Sequence, residues 1–371
     1  MPLDKHSSST ALIRSSKNTI LSLLFIWVLP QTQARETPAG MTLIPGGTYT
    51  RGNAQNLGGN AQYPEEAPVH QVTISPFFID TTEVTNAQFK KFTDATGYQT
   101  QAERGLSADD FPNAPADQLV PGALVFTPPT ESVEKWRPGA EWQWWHFTPG
   151  ANWQHPTGPD SSIADKMDHP VVCLTHEDAQ AYAEWAGKRL PTEAEWERAA
   201  RGNHDHTLFT WGDHPKPDKS AWPANTFQGT FPHKNTNLDG FPGTAPVKSF
   251  PPNDYGLYDM AGNVWELCSD LYRPDYYQTF SKTPVKDPTG PTPDQAITQP
   301  DTTLFSRGQT IPANPEVFHP LARLWVTKGG SFLCHHTYCL RYRPAARHFA
   351  ESLSPTNHTG FRCAQDSPTK K

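Results

Sequence analysis

Cysteine, positive charge and long apolar runs are all scarce in this 371-residue sequence. It has only five cysteines, and 31 lysines and arginines against 38 acids give a formal charge of −7. That balance lacks the basic footprint of a nucleic-acid-binding protein. The apolar stretch "TILSLLFIWVL" near the N-terminus is too short to span a bilayer. We therefore expect no nucleic-acid partner and no ordinary membrane span.

The first 34 residues have the layout of a secretory signal peptide. Lys5, Arg14 and Lys17 precede the apolar stretch, and Thr32 and Ala34 occupy the −3 and −1 positions of a cleavage site. The alternative is an uncleaved membrane anchor, which the shortness of the stretch disfavours. We predict an exported protein, periplasmic or secreted, with no stable membrane insertion after cleavage. Disulfides persist in such compartments.

In contrast to cysteine, proline, glycine and tryptophan are abundant in this sequence. Only 36% of residues are apolar, yet there are 38 prolines, 25 glycines and 12 tryptophans. Proline at that level excludes long helices and central strands, and so many aromatic side chains argue against disorder. We predict one ordered, loop-rich domain over residues 41–366, with a Pro-rich surface insertion near residues 282–320.

Local signals place a few regular elements. "MTLIPGGTYTRGN" predicts two short strands around a turn, and "HQVTISPFFID" predicts one further strand. "TTEVTNAQFKKFTDATGY" predicts a helix that stops at Gly97. Two more helices are expected where Thr175 with Asp178, and Thr192 with Glu195, have the spacing of N-terminal caps.

Two of the five cysteines, Cys334 and Cys339, lie close together in "KGGSFLCHHTYCLRYRPAARH". At this spacing the two sulfurs can meet only if "CHHTYC" forms a loop, which we expect to reach the surface. Two thiolates would suit Cu(I) and leave its coordination open for a third. The alternatives are a structural disulfide, a zinc site that includes His335 or His336, and a redox dithiol, which normally has two intervening residues rather than four.

Several motifs together resemble those of formylglycine-generating enzymes, the sulfatase-modifying family. They are "GKRLPTEAEWERAARG", "NDYGLYDMAGNVWEL", "KGGSFLCHHTYCLRYR" and "GFRCA", in that order. The resemblance implies an irregular α/β (α+β) single domain related to the C-type lectin fold, with little regular secondary structure and with structural Ca²⁺. It also implies a Cu(I) oxidase that uses O2 and a thiol reductant to convert the cysteine of a Cys-x-Pro-x-Arg segment to Cα-formylglycine.

The resemblance assigns roles to individual residues. Cys334 and Cys339 would bind copper, Ser331 would line the oxygen pocket, and Trp265 would wall the same site. His335 and Tyr338 would shape the substrate site, and His358 stands where the animal enzyme has an asparagine near the peptide-binding surface. Arg341, Arg343 and Arg362 match supporting positions, for which buried ion pairing is the expected task.

Two calcium sites also carry over by resemblance. The first comprises Asn225, Thr226, Asp239 and Phe241, and the second comprises Asp259, Gly262, Val264 and Glu266. Carboxylate, amide and carbonyl oxygens are the ligands that calcium takes. The framework disulfides of the animal enzyme are not preserved, because Ala200, Pro344 and Ala183 replace their cysteines. Cys363 is left free or paired with Cys173 or Cys268.

The expected partners are an unfolded sulfatase polypeptide, O2 and a thiol reductant, and we expect a monomer. In the absence of metal, Cys334 and Cys339 should be bridged or close neighbours, since thiols brought together in an exported protein oxidise readily. The alternative function is that of a non-catalytic binding or structural protein of the same fold superfamily in the cell envelope.

Overall fold

The computed structural model describes residues 37–53, 63–108, 116, 119–133, 140–215, 221–280, 284–296, 304–306, 309–311 and 323–368. The predicted signal peptide lies outside these ranges, as does much of the predicted Pro-rich insertion. None of the helices in these ranges combines the length and apolar character that a membrane crossing requires.

Regular elements are short and are separated by long turns. The α-helices are α1 (Asn86–Thr96), α2 (Gln101–Arg104), α3 (His176–Trp185) and α4 (Glu193–Ala200). The strands are β1 (Met41–Ile44), β2 (Gly47–Arg51), β3 (His70–Ile74), β4 (Phe77–Asp80), β5 (Gly122–Phe126), β6 (Trp145–Pro149), β7 (Gly229–Thr230), β8 (Lys234–Asn235), β9 (Trp265–Leu271), β10 (Val285–Lys286), β11 (Leu304–Ser306), β12 (Gln309–Ile311), β13 (Leu324–Lys328), β14 (His348–Glu351), β15 (Thr359–Gly360) and β16 (Ala364–Asp366). Single 3₁₀ turns span Pro64–Glu66, Ala140–Gln143 and Tyr276–Thr279.

The helix boundaries follow the capping signals of the sequence. The Asp178 carboxylate accepts a hydrogen bond from the Thr175 amide at 2.8 Å, which closes the first turn of α3. The Glu195 carboxylate accepts one from the Thr192 amide at 2.9 Å at the start of α4. Helix α1 ends at Gly97, whose φ of 67° is in the left-handed region that glycine tolerates. The three predicted helices are therefore confirmed.

The prediction of one strand over "HQVTISPFFID" is wrong, because the segment forms two strands. Pro76 has no amide hydrogen to donate to a ladder and separates β3 from β4. The two strands belong to different sheets, with orders β10-β3-β2 and β1-β4-β16. The two strands predicted over "MTLIPGGTYTRGN" are present as β1 and β2, and they too lie in separate sheets.

The four-stranded sheet β14-β13-β9-β15 brings distant segments to one edge. Trp265 pairs with Thr359, while Glu266 pairs with Lys328, the last residue of β13. The start of β9, the loop after β13 and the segment before β15 therefore meet at that edge. Helix α4 packs on β2, β3, β9 and β13, and its Trp196 is fully buried in the main core cluster.

We predict that Thr192→Ala lowers the free energy of unfolding by about 1 kcal/mol, because the Glu195 amide loses the Thr192 Oγ acceptor that caps α4. The measurement is denaturant unfolding. Thr157→Ala is the control, since that exposed hydroxyl makes no hydrogen bond within the described residues. Equal stability of both variants would contradict the capping argument.

Candidate active site

The segment "CHHTYC" forms the loop that the sequence requires. The carbonyl of His335 accepts hydrogen bonds from the amides of Tyr338 at 2.9 Å and Cys339 at 2.8 Å, so the chain makes one helical turn between the cysteines. The Sγ atoms of Cys334 and Cys339 come to 2.8 Å from each other. The two thiols are close neighbours, one of the two arrangements expected for the metal-free protein.

The loop can approach this closely because glycine precedes it. Gly330 has a φ of 71°, and a Cβ there would lie 3.1 Å from the Cys334 Sγ and 3.0 Å from the Tyr342 backbone. Any other residue at this position would be strained and would push on the thiol. The two glycines after β13 thus turn the chain toward the site.

The cysteine loop reaches the surface as expected, at the exposed residues His336 and Thr337, but the two thiols themselves are buried. Cys334 is 2% exposed and Cys339 is 9% exposed. Trp265, Tyr342 and Phe209 belong to the same apolar cluster as the two cysteines. On the other side, the ring of Tyr338 stacks on Phe231 with centroids 4.1 Å apart. These aromatic rings enclose the thiols, and each ring covers far more area than an aliphatic side chain does.

The pKa values of the two thiols are shifted in opposite directions. A hydrogen bond from the Cys334 thiol, helped by Arg341, lowers the pKa of Cys339 to about 7. Burial, together with that donated hydrogen bond, raises the pKa of Cys334 well above its usual value. Near neutral pH the pair therefore shares one proton, with Cys339 as the thiolate acceptor.

The other predicted site residues lie around this pair. Ser331 is fully buried, its carbonyl accepts the Cys334 amide at 2.9 Å, and its Oγ accepts the Leu333 amide at 3.3 Å. His335 is buried with Nδ1 2.8 Å from the Thr337 hydroxyl. Among the described residues, no three His, Cys, Asp or Glu side chains are grouped as metal ligands.

The arginines of "RYRPAAR" make the expected buried ion pairs. Arg341 binds Glu65 at 2.8 Å, and Arg343 binds both oxygens of Glu66 at 2.9 and 2.6 Å. Farther on, Arg347 binds both oxygens of Glu193. Arg362 does the same to Glu266, at 2.6 and 2.7 Å.

The structure brings Thr226 and Asp239 of the first predicted calcium group together. The Gln228 amide nitrogen donates to the Thr226 carbonyl and, at 2.7 Å, to Asp239 Oδ2, so these two oxygens lie close to each other around that nitrogen. Asn225 is buried and its Oδ1 has no hydrogen-bond partner. A buried oxygen without a partner next to converging carbonyl and carboxylate oxygens fits a calcium ion.

In the second predicted calcium group, Glu266 does not have the free oxygens that a calcium ligand needs. Both Glu266 oxygens are occupied by Arg362, and one also accepts Trp196 Nε1 at 2.6 Å. Sequence reasoning missed Glu83, which is fully buried and has no partner for Oε2. Burial and the nearby Asp259 raise the pKa of Glu83 well above its usual value, and burial raises that of Asp259 to about 6. Two buried acids this close fit a site that a cation completes.

The five cysteines are all free and buried, so Cys363 pairs with neither Cys173 nor Cys268.

The sequence marks Glu83 only by its place in "TTEVTN", between β4 and α1. That position alone does not distinguish a ligand from a surface carboxylate.

The fold and the buried cysteine pair define a protein of the C-type-lectin-like class with a thiol site. A family model described as "Sulfatase-modifying factor enzyme 1-like domain" matches residues 28–367. The chain is 44% identical to the formylglycine-generating enzyme of Mycobacterium tuberculosis, over 87% of this chain and 96% of that protein. It is 39% identical to the enzyme of the same name from Bos taurus, over 89% of this chain and 75% of that protein.

The solved structure of PvdO from Pseudomonas aeruginosa covers 88% of this chain and 94% of its own, with a TM-score of 0.53 and 22% identity, which supports the fold alone. The relatives and the family match show that the chain belongs to the formylglycine-generating enzyme family. The predicted family and fold class are confirmed, and the chain is an enzyme of sulfatase maturation.

The thiol pair generates a spectroscopic prediction. Ultraviolet absorbance of thiolate should rise with a midpoint near pH 7 in the metal-free, reduced protein, because Cys334 stabilises the Cys339 thiolate. Cys339→Ser should remove this step, and Cys334→Ala should move it to higher pH, since alanine has no donor for the Cys339 thiolate. Titration of Cys173→Ser is the control, because that buried thiol lies in a separate cluster. A step that survives in Cys339→Ser would contradict the assignment.

Proposed function

We propose that this enzyme is a copper-dependent oxidase that converts the cysteine of a sulfatase Cys-x-Pro-x-Arg segment to Cα-formylglycine, using O2 and a thiol reductant. The observation that carries the proposal is the pair of buried, reduced thiols at 2.8 Å. Cu(I) bound there would supply a soft centre at which a further thiolate can bind and O2 can react.

The chain's own residues would prepare that site. Cys339 loses its proton near neutral pH. Cys334 would lose its proton on metal binding, because the metal then takes the place of that proton beside the Cys339 sulfur. Trp265, Tyr342 and Phe209 exclude water from the sulfurs. Ser331, whose hydroxyl proton is not used by the Leu333 contact, can donate toward the pocket in which we place O2.

The substrate would approach as an unfolded segment. His335 and Tyr338, inside the cysteine loop, and His358, before β15, are the residues that we assign to its binding. We further propose that the protein is exported through its N-terminal signal peptide and that it acts as a monomer on sulfatase chains before they fold.

The direct test is mass spectrometry of a Cys-Thr-Pro-Ser-Arg peptide incubated with the copper-loaded protein, reductant and O2. We expect loss of the thiol and gain of an aldehyde. Cys334→Ser and Cys339→Ser should each reduce turnover by at least about a thousandfold, because one sulfur cannot hold the metal for a third ligand. Cys173→Ser, also buried, should retain it. Turnover by either site variant at the wild-type rate would sink the copper proposal.

We propose structural calcium at both oxygen-rich groups. A cation bound only by the folded state stabilises it by mass action. A chelator should therefore lower the melting temperature of the wild type by several degrees, and the variants Asp239→Asn and Glu83→Gln should each lose part of that response. Glu266→Ala is an unsuitable probe, because it leaves the Arg362 charge buried without its partner.

The control for this test is Asp94→Asn, which removes an exposed carboxylate on α1 that pairs only with Lys90. Its response to chelator should equal that of the wild type. A melting curve of the wild type that is the same with and without chelator would show that neither group binds calcium.

A further inference from the structure

His348 contacts one of the aromatic rings that enclose the thiol pair. It is the first residue of β14, opposite Thr327 of β13. Its ring centroid lies 5.5 Å from that of Trp265, and Trp265 packs with Cys334 and Cys339. The side chain therefore lies next to the aromatic wall of the site.

Nothing in the structure uses the hydrogen-bonding capacity of His348. Neither ring nitrogen has a hydrogen-bond partner among the described residues, and neither is sealed from solvent. The residue is half-buried. Burial, Arg341 and His358 nevertheless hold the pKa of His348 well below its usual value. The ring therefore packs against the protein on one side while its nitrogens stay open to solvent.

His358 has similar properties and also lies beside Trp265. Its Nδ1 lies 2.9 Å from the Thr356 hydroxyl, its carbonyl accepts the Trp265 amide at 2.9 Å, and its ring lies 4.6 Å from that of Trp145. It is half-buried, and burial lowers its pKa to about 3. Its Nε2 has no partner within the described residues.

The surface beside Trp265 therefore offers two neighbouring neutral imidazoles, His348 and His358, with unused nitrogens. A neutral imidazole can both donate and accept, which matches the alternating amide and carbonyl groups of an extended polypeptide. The nearby charge does not change this preference, because the Arg341 guanidinium is already paired with Glu65 at 2.8 Å. A main chain, rather than a charged side chain, is the complement of this surface.

We propose that His348 is a substrate-positioning residue, whose imidazole hydrogen-bonds the main chain of the sulfatase segment next to the target cysteine, opposite His358. The assignment rests on the proposed function, since the segment that it positions is the substrate of that reaction. His348 acts on the substrate's location and not on the metal, because it contacts Trp265 and is not a member of the cluster that encloses the sulfurs.

The test compares His348→Ala and His348→Asn with the wild type in turnover of the Cys-Thr-Pro-Ser-Arg peptide. One net hydrogen bond corresponds to about a tenfold change in affinity, so we expect His348→Ala to raise KM about tenfold and to change kcat less than about twofold. His348→Asn keeps a donor and an acceptor and should recover most of the loss. Cu(I) affinity should be unchanged in both variants. His204→Ala, an exposed histidine paired with Asp254, is the control.

A second measurement separates this proposal from the proposed function. Fluorescence anisotropy gives the Kd of a labelled Ser-Thr-Pro-Ser-Arg peptide, which cannot be oxidised to the aldehyde in the same way but presents the same main chain. If the wild type binds this peptide but makes no aldehyde from the Cys-Thr-Pro-Ser-Arg peptide, the oxidase proposal fails, and the Kd of His348→Ala still decides the role of His348. Support is a weaker Kd for His348→Ala with recovery in His348→Asn.

Three outcomes would overturn the assignment. They are an unchanged KM and Kd in His348→Ala, a fall in kcat with KM unchanged, and a loss of melting temperature that His348→Asn does not repair. The first would mean that the imidazole does not meet the substrate. The second would place its effect in the chemical step, and the third would give it a structural role only.

Discussion

The cysteine loop is held in place by buried ion pairs rather than by regular secondary structure. Arg341 and Arg343 follow the loop directly, and they reach back to Glu65 and Glu66 in the 3₁₀ turn before β3. Removing one partner from such a pair leaves an uncompensated buried charge, at a cost of about 3–5 kcal/mol. The position of the two thiols therefore depends on a segment near the other end of the chain.

The same device replaces disulfides elsewhere in the fold. All five cysteines are free, so no covalent bridge limits the loops. Glu193 instead binds Arg347 and, at 2.9 Å, Arg51, which joins α4 to β2 and to the segment before β14. Glu266 joins β9 to the start of the C-terminal segment through Arg362. A fold built this way tolerates a thiol reductant, because reduction breaks no structural bond.

The sequence predicted the local features of this fold and missed the long-range ones. The capping boxes of α3 and α4 lie within four consecutive residues, so their hydrogen bonds can be read from spacing alone. The cysteine pair was visible for the same reason. The division of residues 70–80 into two sheets, by contrast, depends on partners such as Ala364, which pairs with Ile79.

The candidate site shows the same limit. Family resemblance supplied the residues of the cysteine loop and most of the oxygen-rich groups, but it could not show that Glu266 is committed to Arg362. Nor could it show that Glu83 is buried without a partner, because the burial of that carboxylate arises from packing between segments far apart in sequence. The burial of the two thiols within a loop that reaches the surface could not be foreseen for the same reason, since Trp265 and Phe209, which pack with them, come from other parts of the chain.

Arg341 contributes both to the stability of the cysteine loop and to the chemistry of its thiols. Arg341 pairs with Glu65, which anchors the loop, and its charge also favours the thiolate of Cys339. Both neighbours in turn raise the pKa of Arg341, so burial does not neutralise it. A guanidinium is suited to this double task because it stays charged when buried and presents several donors in one plane. The residue that positions the cysteine loop thus also favours the thiolate form of one of its sulfurs, and the two properties cannot be varied independently at this residue.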